Sequence, residues 1–325
     1  MLRTTVVGNY PKISSDEKAL NLRSYLNRYD KKKITEEELD WAYNQTIKRV
    51  ISEQEEAGVD IITDGHIRWD DLVTPFAKNI DGFEIEGLIR FFDNNVYYRR
   101  PIIKSKLTFK DYSTVSEFKF ATKHSKNKVK QVIVGPFTFA HLSKDEYYKN
   151  IEKLTLDLAE ILKKEAEGLQ EAGCDFIQID EPWLCFDPDR LDLVYEGVKI
   201  ITQDLKSKTA LYLYFGSIKR LVPKLFDFPV DVVGVDIISK TENLNLILEN
   251  SFKKEIALGC LDARNTKLEP EDELLDLFEK VTGKLSSDKI YVNPSCGLEF
   301  LPHGNALMKL KRMVEAVKIF NRMGE

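Results

Sequence analysis

The chain has 325 residues, 43% of them hydrophobic and 31% charged, with a formal net charge of -5, enough for one large α/β domain or two smaller ones. The charge is spread over both signs, which excludes a basic face for nucleic acid or an anionic membrane, and no apolar run reaches the roughly 18 residues of a membrane-spanning helix. Cys174, Cys185, Cys260 and Cys296 are too few and too scattered for a disulfide framework, and residues 1–8 read as a strand without a signal-peptide layout, so the expected location is cytoplasmic.

Residues 2–8 form the first expected strand, closed by the turn Gly8-Asn9-Tyr10-Pro11. Residues 35–57 show the apolar spacing of a long helix, with Thr35 and Glu38 at capping-box spacing. The second strand covers 59–65. Its entry, Glu56-Ala57-Gly58-Val59-Asp60-Ile61-Ile62, is matched by Glu171-Ala172-Gly173-Cys174-Asp175-Phe176-Ile177, so the same helix stop feeds the same strand start twice, as in repeated βα units. Residues 84–130 are rich in aromatic and β-branched residues and carry no clear helix pattern; they are expected to form a hairpin-like insertion. Further strands are expected at 131–135, 176–180, 210–215, 230–236, 256–260 and 289–294, with a charged helix over 145–172 and a closing helix over 304–322. Eight strands alternating with helices predict an α/β fold, a (β/α)8 TIM barrel forming a single domain over 1–325 with its insertion at about 84–130. An open doubly wound sheet is the alternative, and Gly8-Asn9-Tyr10-Pro11 is not the glycine-rich nucleotide turn that such a sheet usually carries.

In a barrel of parallel strands the C-terminal strand ends carry the chemistry. In chain order they deliver Asn9 and Tyr10, Asp64 and His66, Thr138, Asp180 and Glu181, Tyr212 and Tyr214, Asp236, Asp262 and Cys296. Each has a structural reading: Asn9 as a turn residue, Asp180, Glu181 and Asp236 as helix caps, Cys296 as an inert buried thiol. Their arrival from distant parts of the chain predicts a shared acidic, polar pocket.

Five motifs stand in order: Gly8-Asn9-Tyr10-Pro11, Asp64-Gly65-His66-Ile67-Arg68-Trp69-Asp70-Asp71, Gly135-Pro136-Phe137-Thr138, Ile177-Gln178-Ile179-Asp180-Glu181-Pro182 and Val292-Asn293-Pro294-Ser295-Cys296-Gly297-Leu298. Together they resemble the motifs of cobalamin-independent methionine synthase, most closely its catalytic barrel and the short archaeal single-barrel form, over nearly the whole chain. The resemblance implies a TIM barrel that transfers a methyl group from a folate or corrinoid donor to the thiol of homocysteine. It implies that Asp180 helps to bind the amino group of homocysteine; substrate binding is also expected at Asn9, where the family often has Ser, and at His66 and Glu181.

The resemblance also implies a zinc ion held by a His-x-Cys pair on strand five, a Glu after strand six and the Cys of the Asn-Pro-x-Cys turn. Here Cys296 survives, the Glu position is Asp236, and the pair is Tyr212 and Tyr214. One thiolate and one shortened carboxylate are a poor zinc set, since zinc favours three or four protein ligands, so absent or weak zinc is expected and no cofactor is assigned. Two readings follow: a methyltransferase acting on an amino-acid thiol, with a methyl-corrinoid protein as one possible donor partner, or a zinc-free, non-catalytic paralogue serving a second, catalytic barrel chain.

Overall fold

Thr35 N donates to the Glu38 carboxylate at 2.8 Å and Glu38 N donates to the Thr35 hydroxyl at 3.3 Å. This reciprocal cap starts the helix Glu36–Ala57, and Gly58, in the left-handed region at φ 89°, ends it. The computed structural model describes all residues of 1–325 except 17, 95, 252 and 325. It resolves into two units: Met1–Arg68 with Phe120–Val129 and Leu258–Glu325, and Trp69–Lys119 with Lys130–Ala257.

In the first unit, the strand Arg3–Thr4 runs parallel to Ile290–Pro294, with Arg3 opposite Tyr291 and Thr4 opposite Val292. Ile61–Ile62 runs parallel to Lys128–Val129, and Thr5 bridges to Ile61. The ladders are shorter than the apolar runs predict. Around residues 59–65, side chains take over the pairing: Thr63 N donates to Gln54 Oε1 at 3.3 Å, and the Thr63 hydroxyl donates to the Gly8 carbonyl at 2.7 Å. The closing helix His303–Met323 packs on Glu36–Ala57. Its Asn321 side chain donates to Leu2 O at 3.0 Å and accepts from Leu2 N at 2.8 Å, anchoring the first strand.

The second unit carries Gln131–Val134, Phe176–Asp180, Lys208–Leu213 and Val232–Asp236 as adjacent parallel strands. All but Lys208 are buried, which is why these strands read as continuous apolar runs and not as alternating ones. The helices Ile151–Glu171 and Leu191–Thr202 pack against each other. Register puts Val134, Asp180, Tyr212 and Gly234 in one row across the four strands. Gly234 is the small member of that row, and a Cβ there would lie 2.6 Å from the Tyr212 ring.

The expectation for 84–130 needs correction. The antiparallel hairpin is present, but it runs from Ile80–Arg90 to Tyr97–Phe109 with irregularities between Asp81 and Phe83 and between Ile85 and Leu88; residue 95 lies outside the described residues. It is followed by a true helix, Val115–His124, and by the strand Lys128–Val129. Phe83 stacks on Phe139 at 5.1 Å, and Phe92, at φ 50°, lies 5.2 Å from Trp183 and 5.3 Å from Phe215. Among the described residues no helix is long and apolar enough to cross a membrane.

Gly234→Ala should destabilise the protein by about 1–3 kcal/mol through overpacking against Tyr212. Chemical denaturation of Gly234→Ala, Tyr212→Leu and the double variant checks this: the two changes should be far from additive, the smaller side chain relieving the collision.

Candidate active site

The strand Phe176–Asp180 ends in Asp180-Glu181-Pro182, and its two carboxylates face different tasks. Glu181, 0% exposed, does not cap the short helix that follows it. Its Oε2 accepts from Phe137 N at 3.2 Å and its Oε1 accepts from Thr138 N. These amides belong to the first turn of the helix Pro136–Leu142, so Glu181 supplies the carboxylate that a helix N-terminus favours. Gly135 lies against this carboxylate, leaving no room for a Cβ. Burial pushes the Glu181 acid up to about 8, against the pull of its Thr138 and Phe137 donors.

Asp180 takes its hydrogen bonds from side chains. Gln178 Nε2 donates to Asp180 Oδ1 at 2.7 Å, and the Tyr214 hydroxyl donates to Asp180 Oδ2 at 3.0 Å. On the other side of Gln178 sits Lys130, 0% exposed, whose Nζ donates to Gln178 Oε1 at 2.5 Å. The ammonium also lies 4.8 Å from the centroid of the Tyr212 ring and 5.7 Å from that of Phe176, within cation–π range. Burial pushes Asp180 up to about 7, opposed by Gln178, Tyr214 and the Lys130 charge. It pulls Lys130 down to about 7, opposed by Asp180. A carboxylate with two fixed donors and spare lone pairs is suited to bind an ammonium group.

The residues at which the resemblance implies a zinc pair and a Glu are otherwise engaged. Tyr214 donates to Asp180, and Tyr212 lies against Lys130. Asp236 organises its own loop: Oδ1 accepts from Ile238 N at 2.8 Å and Ser239 N at 2.9 Å, and Oδ2 accepts from Phe215 N at 3.1 Å and from the Ser239 hydroxyl. Two phenols and a carboxylate spent on backbone amides are not a donor set for zinc. Among the described residues no three His, Cys, Asp or Glu side chains are grouped to hold a metal ion.

The first unit gathers Asn9, Asp64, His66 and the turn that carries Cys296. His66 Nδ1 and Asn9 Oδ1 are 2.6 Å apart, so Nδ1 carries the proton and donates. His66 is in the left-handed region at φ 50°, and its ring lies where a Cβ on Gly8 would be. Asp64 holds the bend, Oδ1 accepting from His66 N at 2.9 Å. Its buried Oδ2 has no hydrogen-bond partner among the described residues, and burial pushes the acid up to about 6. Leu298 N donates to Asn9 O at 2.9 Å, and Ser295 N donates to Leu261 O at 2.7 Å, fixing the turn on both sides of the buried Cys296.

Lys130 and Gln178 were missed as site residues in the sequence. A lysine entering a buried strand and a glutamine between Ile177 and Ile179, two residues before Asp180 on the same strand face, were the available signals.

The family model of the cobalamin-independent synthase catalytic domain matches residues 2–319. Methionine synthase from Saccharolobus solfataricus is 33% identical over 321 residues, covering 98% of this chain and 95% of the relative. That from Sulfurisphaera tokodaii is 33% identical over 323 residues, covering 98% and 92%. Among solved structures, the B12-independent methionine synthase from Shewanella sp. W3-18-1, in complex with selenomethionine, superposes with a TM-score of 0.84 at 24% identity, over 99% of this chain and 98% of that one. A B12-independent methionine synthase described as putative, from Listeria monocytogenes, gives 0.77 at 18% identity, over 99% of both chains. These likenesses establish the α/β TIM-barrel fold.

An acid whose value is raised in the folded state stabilises the fold fully below its unfolded value, 3.8 for Asp180, and that contribution is lost as pH rises through about 7. Urea unfolding from pH 4 to pH 7 should therefore show the wild type losing roughly a few kcal/mol relative to Asp180→Asn, which has no proton to lose. Parallel curves for the two proteins would show that Asp180 is not perturbed.

Proposed function

The chain belongs to the cobalamin-independent methionine synthase family and is a methionine synthase-like methyltransferase, and we propose that it methylates the thiol of homocysteine in the cytoplasm. The carrying observation is Asp180: a buried carboxylate at a strand end, held by Gln178 and Tyr214 with lone pairs to spare for the substrate ammonium. Asn9 and His66 are the other proposed substrate-binding residues. Their mutual hydrogen bond leaves the Asn9 amide N–H available as a donor to a ligand carboxylate. Glu181 belongs to the site as a support, because its oxygens serve the Phe137 and Thr138 amides.

The methyl donor is a methylated folate or a methyl-corrinoid protein, the latter being the proposed macromolecular partner. The non-catalytic alternative, a chain that serves a second catalytic barrel, is not favoured. Relatives bearing the name methionine synthase match this chain over 95% and 92% of their own lengths, so that name attaches to chains of this size. The zinc of the resemblance is a separate matter. Cys296 and Asp236 are the remnant positions, but Asp236 is already hydrogen-bonded to Phe215 N and Ile238 N, and Tyr214 to Asp180.

The test is methionine formation from homocysteine by the purified chain, with methyltetrahydrofolate and methylcobalamin supplied in turn as donors. One donor should support turnover. Asp180→Asn should lower kcat/KM by about tenfold or more, the loss of a charge-assisted contact. No methionine with either donor, from protein shown to be folded, would reject the reading. Elemental analysis of the same preparations should give much less than one zinc per chain; one zinc per chain, lost on Cys296→Ser, would show a rearranged ligand set.

A further inference from the structure

Among the groups without a role so far, Lys130 has the least obvious reason to be where it is. An ammonium buried without a directly contacting carboxylate is costly. A methionine or leucine of similar volume would fill the space between the Phe176 and Tyr212 rings at no such cost. What the lysine does make is one short hydrogen bond, Nζ to Gln178 Oε1 at 2.5 Å.

That bond has a direction. Gln178 presents its oxygen to Lys130 and its NH2 toward Asp180, which it reaches at 2.7 Å, and the charged form of the lysine, which can only donate, holds the amide that way round. Tyr214 donates to the other oxygen at 3.0 Å. All three bonds thus point toward Asp180. Were the amide reversed, Gln178 would turn its oxygen on the carboxylate, and Asp180 would have to be protonated to satisfy it. A protonated Asp180 would not attract an ammonium ion.

We propose that Lys130 is a positioning residue for amino-acid recognition: through Gln178 it holds Asp180 in the orientation in which its carboxyl group reads the substrate's α-ammonium group. Lys130 does not touch substrate in this scheme. It sets the polarity of the amide between them, and its charge, one amide away, favours the ionised acid. The inference rests on Asp180 being the ammonium-binding group, so the experiment separates the two claims.

The measurement is calorimetric affinity for L-methionine and for 4-(methylsulfanyl)butanoate, which has the same chain and carboxylate but no amino group. Wild type should prefer L-methionine, and Asp180→Asn should lose that preference. Lys130→Met should lose it by about tenfold or more, the range of a hydrogen bond to a charged group. A cooperative melting transition checks that Lys130→Met is folded. A purely structural lysine would leave the preference intact. Gln178→Glu makes the same test without touching the lysine: it keeps an acceptor for Lys130 and removes the N–H that reaches Asp180, so it too should lose the preference. If either variant keeps the wild-type preference while Asp180→Asn loses it, the positioning role is overturned and Asp180 stands. If Asp180→Asn also keeps it, the ammonium assignment itself falls.

Discussion

An amide has two different ends, and in a dry interior it matters which way it faces. Gln178 lies between a donor-only ammonium and a carboxylate, and its neighbours allow one orientation. With Tyr214 donating from the opposite side, this small network decides which oxygen of the strand-end acid accepts from which donor. Burial alone would keep Asp180 protonated; two donors and a cation one amide away work against it. The result is an acid poised near neutrality, where an arriving ammonium ion can tip it fully to the carboxylate.

Adjacent carboxylates raise each other's affinity for protons, as the Asp180 charge does for Glu181, and would ordinarily compete for the same donors. Here they are separated by what they accept from. Glu181 turns to the first-turn amides of Pro136–Leu142, while Asp180 takes its donors from Gln178 and Tyr214. The Asp-Glu-Pro sequence therefore builds the site and its wall together: the Glu joins this strand end to the neighbouring helix start, and the Asp is held above it. Thr138 reinforces the joint, its hydroxyl accepting from Trp183 N at 3.1 Å.

How much of this could be read in advance depends on the range of the signal. The helix Glu36–Ala57 was legible to its ends because its cap, spacing and terminal glycine are all local. The C-terminal ends of Phe176–Asp180 and Val232–Asp236 were legible because buried parallel strands leave unbroken apolar runs, whereas the strands at 3–4 and 61–62 are shorter than their runs. The helix Val115–His124 was not, although Val115, Phe118 and Ala121 are buried at a spacing of three; the aromatic and β-branched residues upstream pulled the whole segment toward a hairpin. In the candidate site, Asp180 stands out in the sequence by its place after an apolar run. The capping task of Glu181 and the contact of Lys130 with Gln178, 48 residues apart, depend on tertiary register that no local pattern encodes.

Tyr212, Tyr214 and Asp236, which stand where the resemblance implies zinc ligands, belong to the same interior. Tyr212 is accommodated because its row neighbour is Gly234, and its ring faces the Lys130 ammonium. Tyr214 supplies one of the two hydrogen bonds to Asp180, and Asp236 holds the loop at 237–239. These are not three vacant positions awaiting their old side chains. An imidazole in place of Tyr212 would bring any divalent ion toward a buried ammonium, and in a medium of low dielectric two such cations repel strongly. Loss of the Tyr214 hydroxyl would also take a donor from Asp180. The tyrosine pair, the glycine opposite it, the lysine beneath it and the acid beside it are mutually dependent, so a change at one position has to be judged by what it leaves unpaired at the others.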